Sequence, residues 1–345
     1  MKIDQFEIYP YSIPFIRTIE TSGKKHISRN GVWIKIKSKN NFGWGDAAPL
    51  TGFSCESLKE VHYALEGFHQ AIIGDNYDIE ELLTLIKIHT EDCPSAQFGL
   101  ETALYDLLSK FSNKALANYL NDNALSKILL NGIAGIHSPE DGYGIMKVKV
   151  GFRNLFDEIE RMKDYTKKFG KETKFRLDAN GAFDLTKAIR FCKEMEQFNI
   201  DYIEQPVDKG ELQDMAELRY HTEIPIAIDE GLIDKVSAIN AISEQSADVF
   251  IIKPMVSGGF IECAEIVKLA KKEKIRTIIT SSLESIIGRA SCLHFAAANN
   301  IMEHCGLSNG FLLNENDPFE NSDGSINISN HIGIGINNPN NIYKI

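Results

Sequence analysis

KFRLDANG (174–181), IDYIEQPV (200–207), IPIAIDEG (224–231) and DVFIIKPM (248–255) are short apolar runs, and each ends near an ionisable side chain: Asp178, Glu204, Asp229 and Lys253. ILLNGIAG (128–135) and GIMKVKVG (144–151) precede them in the same style, and RTIITSSL (276–283) follows. Between most of them lie amphipathic stretches such as NLFDEIERMKDYTKKF and LTKAIRFCKEMEQF, which fit helices. Strand–helix alternation of this kind builds a parallel sheet, open or closed. From Lys149 through Asp178, Glu204, Asp229 and Lys253 to Ser281 the polar strand ends recur every 24–29 residues, one β/α unit each time. In a closed barrel all strand C-termini meet at one rim, so these side chains converge on a single mouth. An open doubly wound sheet would spread them along an edge. We therefore read the chain as α/β, a (β/α)8-type, TIM-like barrel.

Outward from the barrel the texture changes. Residues 1–45 read as strands, with GVWIKIKS (31–38) alternating cleanly, and IRTIETSGKKHISRN between them reads as a mobile loop. FGWGDAAPLTGFSCES (42–57) is punctuated by Gly and Pro, and helix-like stretches follow. The tail is rich in Asn, Gly and Asp, with one strand-like piece, HIGIGI (331–336). The expected division is an α+β capping domain over 1–120, a barrel over 121–308, and a tail over 309–345 packing on the cap. A chain of 345 residues suits a barrel plus a smaller domain.

The strand ends carry the chemistry. Asp178, Glu204 and Asp229 come from three successive strands, and three carboxylates at one mouth repel unless a cation lies among them. Hard oxygen donors suit Mg2+, with Mn2+ as a substitute. Any one of these residues alone also fits a solvated strand end or a helix cap. Lys147 and Lys149 form a K-x-K whose period of two puts both side chains on one face. Lys149, nearer the strand end, is the candidate base, and Lys147 the neighbour that depresses its pKa. KVK by itself equally fits solvent-facing lysines. Lys253 lies across the barrel from Lys149, so that a lysine flanks the carboxylates on either side, an arrangement suited to removing a proton beside a substrate carboxylate. Ser281, Ser282 and Glu284, in TSSLES, fit either anion binding or plain helix capping.

Other chemistries find no footing. There is no GxGxxG opening a helix and no GxxxxGK[ST]. None of the nine histidines falls at a strand end between 144 and 283. The six cysteines show no CxxC spacing and read as buried free thiols. A net charge of −11 argues against nucleic acid and anionic membrane, so an anionic substrate must meet a local cationic site. The N-terminus lacks a secretory apolar run, and a cytoplasmic location is expected. The partner expected is a small-molecule carboxylate, with a homo-oligomer as a further expectation.

The combination KVKVG, RLDANGAF, DYIEQPV, IAIDEGL, IIKPMVSGG and TSSLESIIG resembles the enolase superfamily, in its muconate-cycloisomerase-like branch, and is most similar there to the o-succinylbenzoate synthase family. GWGDAAPLTGFSCES resembles the capping loop that closes over the substrate. The resemblance implies a Mg2+ held by Asp178, Glu204 and Asp229, with Lys149 as base and then acid. It implies that Lys253 stabilises the intermediate and that Arg176 and Asn180 order the site. Racemase, epimerase and cycloisomerase reactions use the same two lysines. The segment IMEHCGLSNGF lacks the paired aspartates associated with dipeptide epimerases.

Overall fold

A strand buried on both faces has no solvent side to keep polar, so it reads as an unbroken apolar run. The computed structural model shows this in Ile226–Ile228 and Val249–Ile252, where every residue is buried. The structure describes all residues except 22, 23, 73, 310, 313–316, 320, 329, 330, 342, 344 and 345.

Three antiparallel strands open the chain: β1 (Gln5–Thr21), β2 (Lys24–Ser38) and β3 (Asn41–Ala47). The helices α1 (Leu58–Ile72), α2 (Ile79–His89), α3 (Pro94–Phe111) and α4 (Leu116–Leu120) follow. β3 lies directly on α3. A Cβ at Gly43 would come within 2.0 Å of the Ala103 carbonyl oxygen, and one at Gly45 within 1.8 Å of that of Gly99, so only glycine permits this approach. An apolar cluster including Ile34, Ile36, Val61, Leu65, Leu100 and Leu104 fills the space between this sheet and its helices.

After β4 (Lys127–Leu129) comes β5 (Gly132–Ile133), and then strands and helices alternate: β6 (Ile145–Lys149), α5 (Leu155–Phe169), β7 (Lys174–Asp178), α6 (Leu185–Met195), β8 (Ile200–Glu204), α7 (Leu212–His221), β9 (Ile226–Ile228), α8 (Lys235–Ser243), β10 (Val249–Ile252), α9 (Gly259–Lys272), β11 (Arg276–Ile279) and α10 (Ile286–Ala298). β5 to β11 form one parallel sheet in sequential order. Its two edges are joined through Cys305 and Gly306. Cys305 N donates to Leu129 O at 2.7 Å, and Gly306 N donates to Ile279 O at 2.9 Å. The sheet thus closes on itself, which leaves no free edge. The expected α/β barrel is the observed one, with its eighth position filled by a bridging pair of residues.

Three local expectations are corrected. IRTIETSGKKHISRN is not a loop: β1 and β2 run through its described part as a long hairpin, with a register shift between Pro14 and Ile19. There Phe15 bridges Leu312, and Ile16 N donates to Phe311 O at 2.9 Å. The run 128–135 is divided, because β4 pairs with β13 (Ser325–Asn327), itself the partner of β12 (Asn321–Ser322), in a separate sheet. HIGIGI forms no strand, since Gly333 and Gly335 have positive φ of 67° and 80°, and only Gly333 makes a bridge, to Ala115.

Tail residues meet the N-terminal sheet and helices. Trp44 Nε1 donates to Asn337 O at 3.0 Å, and Ile334 N to Asp106 Oδ1 at 2.8 Å. Tyr343 stacks on Trp33 with ring centroids 6.0 Å apart. No described helix is long and apolar enough to cross a membrane. All six cysteines are free, and only Cys55 is exposed.

α3 also reaches the barrel. Glu101 accepts at Oε2 from the backbone N–H groups of Phe260 (2.6 Å) and Ile261 (3.1 Å), in the first turn of α9, and at Oε1 from Gln97. Burial pushes this carboxyl up to about 7, against the pull of those donors. The folded state therefore binds the proton more tightly than the unfolded chain. The stability this brings is complete below about pH 4 and is lost as pH rises through about 7. The melting temperature of the native protein is expected to fall more between pH 5 and pH 8 than that of Glu101→Gln. Parallel pH curves for the two proteins would remove this assignment.

Candidate active site

Register sets the layers of the barrel interior. Lys149, Asp178 and Glu204 are neighbours across β6, β7 and β8, and Lys147, Arg176 and Tyr202 form the layer beneath. Lys147 is long enough to reach up a layer. Its Nζ lies 2.9 Å from Asp178 Oδ2 and donates to Glu204 Oε1 at 2.8 Å. Burial pulls the Lys147 pKa down, but the two carboxylates more than reverse this and keep the ammonium charged. Asp178 is the mirror case: burial would raise it, and Lys147 and Lys149 together hold it well below the usual carboxylate range.

Lys149 Nζ lies 3.1 Å from Asp178 Oδ2 and also donates to Asn180 Oδ1. Its side chain is 45% exposed, compared with 21% for Lys147, so Lys149 is the one open to a ligand. Opposite, Lys253 Nζ donates to Asp229 Oδ1 and lies 4.6 Å from the centre of the Phe53 ring. Burial brings Lys253 down to about 7; Glu204 and Asp178 oppose the fall, and Lys147 and Lys149 add to it. Backbone geometry at the strand ends supports these placements. Asn180 and Gln205 have positive φ of 44° and 40°. Gln205 Oε1 accepts from the backbone N–H groups of Asp229 and Gly231 at 3.0 and 3.2 Å, fixing the end of β9 from the end of β8.

One cavity of about 490 Å³ gathers most of the expected residues: Lys147, Lys149, Asp178, Asn180, Glu204, Asp229, Lys253, Ser281 and Ser282. Two expected residues do not line it. Arg176 is fully buried and spends its guanidinium on Asp201, Asn131 and the His304 carbonyl. Glu284 accepts from Ser281 Oγ and from the N–H and Oγ of Ser282, so it shapes the loop from within.

The cavity also contains residues not singled out from the sequence: Arg17, Phe53, Arg161 and Glu230. Behind it, the buried Arg29 donates to the carbonyls of Pro49 (2.8 Å), Leu283 (3.0 Å) and Ala48, tying the segment before Leu50 and Phe53 to the loop after β11. Its acceptors are backbone atoms distant in sequence, which no motif records.

Three aligned strand-end carboxylates form an oxygen donor set of the kind Mg2+ prefers. Glu230 adds to this: its Oε2 is buried with no hydrogen-bond partner, and burial and the charge of Asp178 raise its pKa. Among the described residues no three His, Cys, Asp or Glu side chains are close enough together to hold a metal ion as they stand. Lys147 and Lys253 engage the carboxylates instead. The donor chemistry fits a divalent cation, provided these lysines give way to it.

Comparison with known proteins places this geometry. The family described as "Enolase C-terminal domain-like" matches residues 137–340, and "MenC, N-terminal domain" matches residues 3–107. An L-Ala-D/L-Glu epimerase of Bacillus subtilis (strain 168) is 26% identical, with 86% of each chain covered. An o-succinylbenzoate synthase of Desulfotalea psychrophila is 30% identical over 70% of this chain and 69% of that protein. The crystal structure of a dipeptide epimerase from Enterococcus faecalis V583, complexed with Mg and the dipeptide L-Leu-L-Tyr, superposes with a TM-score of 0.88 at 24% identity, covering 98% of this chain and all of the other. With its barrel, its N-terminal sheet and these matches, the chain belongs to the enolase superfamily, among relatives of the muconate-cycloisomerase kind.

Proposed function

We propose that this chain is an o-succinylbenzoate synthase, a lyase that removes water from 2-succinyl-6-hydroxy-2,4-cyclohexadiene-1-carboxylate to give 2-succinylbenzoate in the route to menaquinone. The observation that carries this reading is the distribution of charge in the cavity. Its carboxylates are Asp178, Glu204, Asp229 and Glu230, all at or just after the ends of β7, β8 and β9, while its lining also includes the apolar Ile19, Leu50, Phe53, Ile133, Ile136, Leu283 and Phe311. An apolar wall suits a ring. A dipeptide would need a further carboxylate for its ammonium group, and at the closing strand the cavity meets Gly306. The match of residues 3–107 to the MenC N-terminal domain supports the same reading. The epimerase relatives favour a second reading, racemisation of N-acyl amino acids or dipeptides by the same pair of lysines.

In the proposed reaction Lys149 takes the proton beside the substrate carboxylate. As an ammonium it then returns that proton to the departing hydroxyl on the same face, which leaves as water. Lys253, paired with Asp229, places positive charge on the opposite face of the ring. Asp178, Glu204 and Asp229 would hold a Mg2+ ion, or Mn2+ in its place, which when bound supplies positive charge against the substrate carboxylate. Ser281 and Ser282, their hydroxyls fixed on Glu284, would offer polar contacts to the substrate. We propose further that 1–120 and 309–345 act as the cap over a barrel of 121–308, in a cytoplasmic enzyme that acts on a small carboxylate and forms a homo-oligomer.

Incubation of the protein with the cyclohexadiene and Mg2+ is expected to produce the aromatic absorbance of 2-succinylbenzoate. EDTA should stop the reaction, and added Mg2+ should restore it. A flat trace together with racemisation of N-succinyl amino acids would replace this reading with the second one. Turnover indifferent to chelator would remove the metal from it.

A further inference from the structure

A base must turn its lone pair toward the proton it removes. At that moment Lys149 is a neutral amine, with two N–H bonds and one lone pair. Two acceptors stand at its nitrogen: Asp178 Oδ2 at 3.1 Å and Asn180 Oδ1. With one N–H bond engaged on each, the lone pair is left facing the open side, the cavity that Lys149 lines. An ionised carboxylate accepts whichever way it turns. An amide does not, because its two ends have nearly the same shape and opposite roles. Turned over, Asn180 would point its NH2 group at Lys149 and donate to the lone pair itself.

Glu230 holds that amide one way round. Its Oε1 accepts from Asn180 Nδ2 at 2.7 Å, and an ionised carboxylate can only accept, so the carbonyl end of Asn180 faces Lys149. Both ends of this link are pinned at Gln205. The Gln205 side chain accepts from the N–H groups of Asp229 and Gly231, on either side of Glu230. Its backbone carbonyl accepts from Gly181 N, next to Asn180, at 2.7 Å. Glu230 Oε2 meanwhile is buried without a hydrogen-bond partner, which costs stability and calls for a reason other than folding. We infer that Glu230 is a positioning residue: through Asn180 it keeps the lone pair of Lys149 turned toward the substrate. The inference deepens the proposed function and rests only on its assignment of Lys149 as the base, which dehydration and racemisation share.

The test compares Glu230→Leu, which has no acceptor, with Glu230→Gln, which loses the charge but keeps a carbonyl oxygen. Each is made alone and together with Asn180→Gly, since glycine suits the positive φ of 44° at Asn180. Glu230→Ala takes the place of the leucine variant if that one does not fold. With the cyclohexadiene and saturating Mg2+, Glu230→Leu is expected to lower kcat about tenfold and leave KM within about twofold, and Glu230→Gln to recover most of the loss. In the Asn180→Gly background both replacements should change kcat by less than about twofold, because the residue through which Glu230 acts is gone. Binding of 2-succinylbenzoate in the presence of Mg2+, measured by calorimetry, should stay within about twofold of native in Glu230→Leu. Equal losses in the Leu and Gln variants, a loss undiminished without Asn180, or product binding weakened in step with kcat would overturn the inference. The same cycle is read on solvent-deuterium exchange at the α-carbon of N-succinyl amino acids. If the native protein exchanges these, with the coupling through Asn180, but leaves the cyclohexadiene untouched, the proposed reaction fails and the inference stands. If it dehydrates the cyclohexadiene and the two replacements act independently, the reverse holds. No reaction with either compound would overturn both.

Discussion

Lys149→Ala is expected to lower kcat by about 10³-fold or more while moving the melting temperature by only a degree or two. The two effects separate because of where Lys149 lies. Its side chain is 45% exposed at the rim, and its partners, Asp178 and Asn180, have others: Asp178 keeps Lys147, and Asn180 keeps Glu230. Removing it therefore leaves no buried charge alone. Lys147 cannot replace it, because its ammonium is committed to Asp178 and Glu204 and its pKa is driven up. Lys253 reaches the cavity from the opposite side of the barrel and is tied to Asp229. The measurement is kcat of the native and variant proteins with the cyclohexadiene substrate, beside their thermal unfolding curves. Activity surviving within tenfold would remove Lys149 as the base. Loss of activity with a collapsed melting temperature would make it structural.

The mouth of this barrel was legible because its signal is strictly local: an apolar run, then a polar residue, at a spacing set by one strand and one helix. Asp178, Glu204, Asp229, Lys253 and Ser281 each meet that description, and all line one cavity. Depth inside the barrel was not legible. Arg176 shares a face with Asp178, as period two requires, yet two residues along a strand are roughly 6.6 Å of height. Lys147 and Tyr202, in that same lower layer, still line the cavity, but Arg176 does not, because its guanidinium is held by Asp201, Asn131 and the His304 carbonyl. Glu284 shows the other failure, since nothing in LES tells whether a side chain turns out to a ligand or in towards Ser281, Ser282 and Cys292. The hairpin of β1 and β2 was hidden by its polar composition. What makes it a strand pair is register with itself and fastening at Phe311 and Leu312, nearly 300 residues later. Arg29 was unreadable for the same reason, because it is defined by carbonyls that only the fold brings near.

Arg176→Met provides the complementary result: the structure predicts a large loss of stability where the sequence suggests a loss of substrate binding. The Arg176 Nε donates to Asp201 Oδ2 at 2.8 Å, and Nη1 donates to Asn131 Oδ1 at 2.9 Å and to the His304 carbonyl at 2.6 Å. The guanidinium also lies 4.8 Å from the centre of the Tyr202 ring. One side chain thus joins β7 and β8 to the residue before β5 and to the segment that closes the barrel at Cys305. Asp201 is held in its charged form against burial by Arg176 and Arg276 together. A methionine would fill the space but leave Arg276 as the only cation on that carboxylate and strip Asn131 and His304 O of a donor. Breaking a buried pair from one side costs about 3–5 kcal/mol. In a chain of this size that corresponds to a fall in melting temperature of roughly 4–7 °C. Turnover per folded molecule, measured well below the transition, should stay within about tenfold of native, since Arg176 does not line the cavity. A raised KM with an unchanged melting temperature would return Arg176 to the substrate and show that the layer beneath the mouth is part of the binding site.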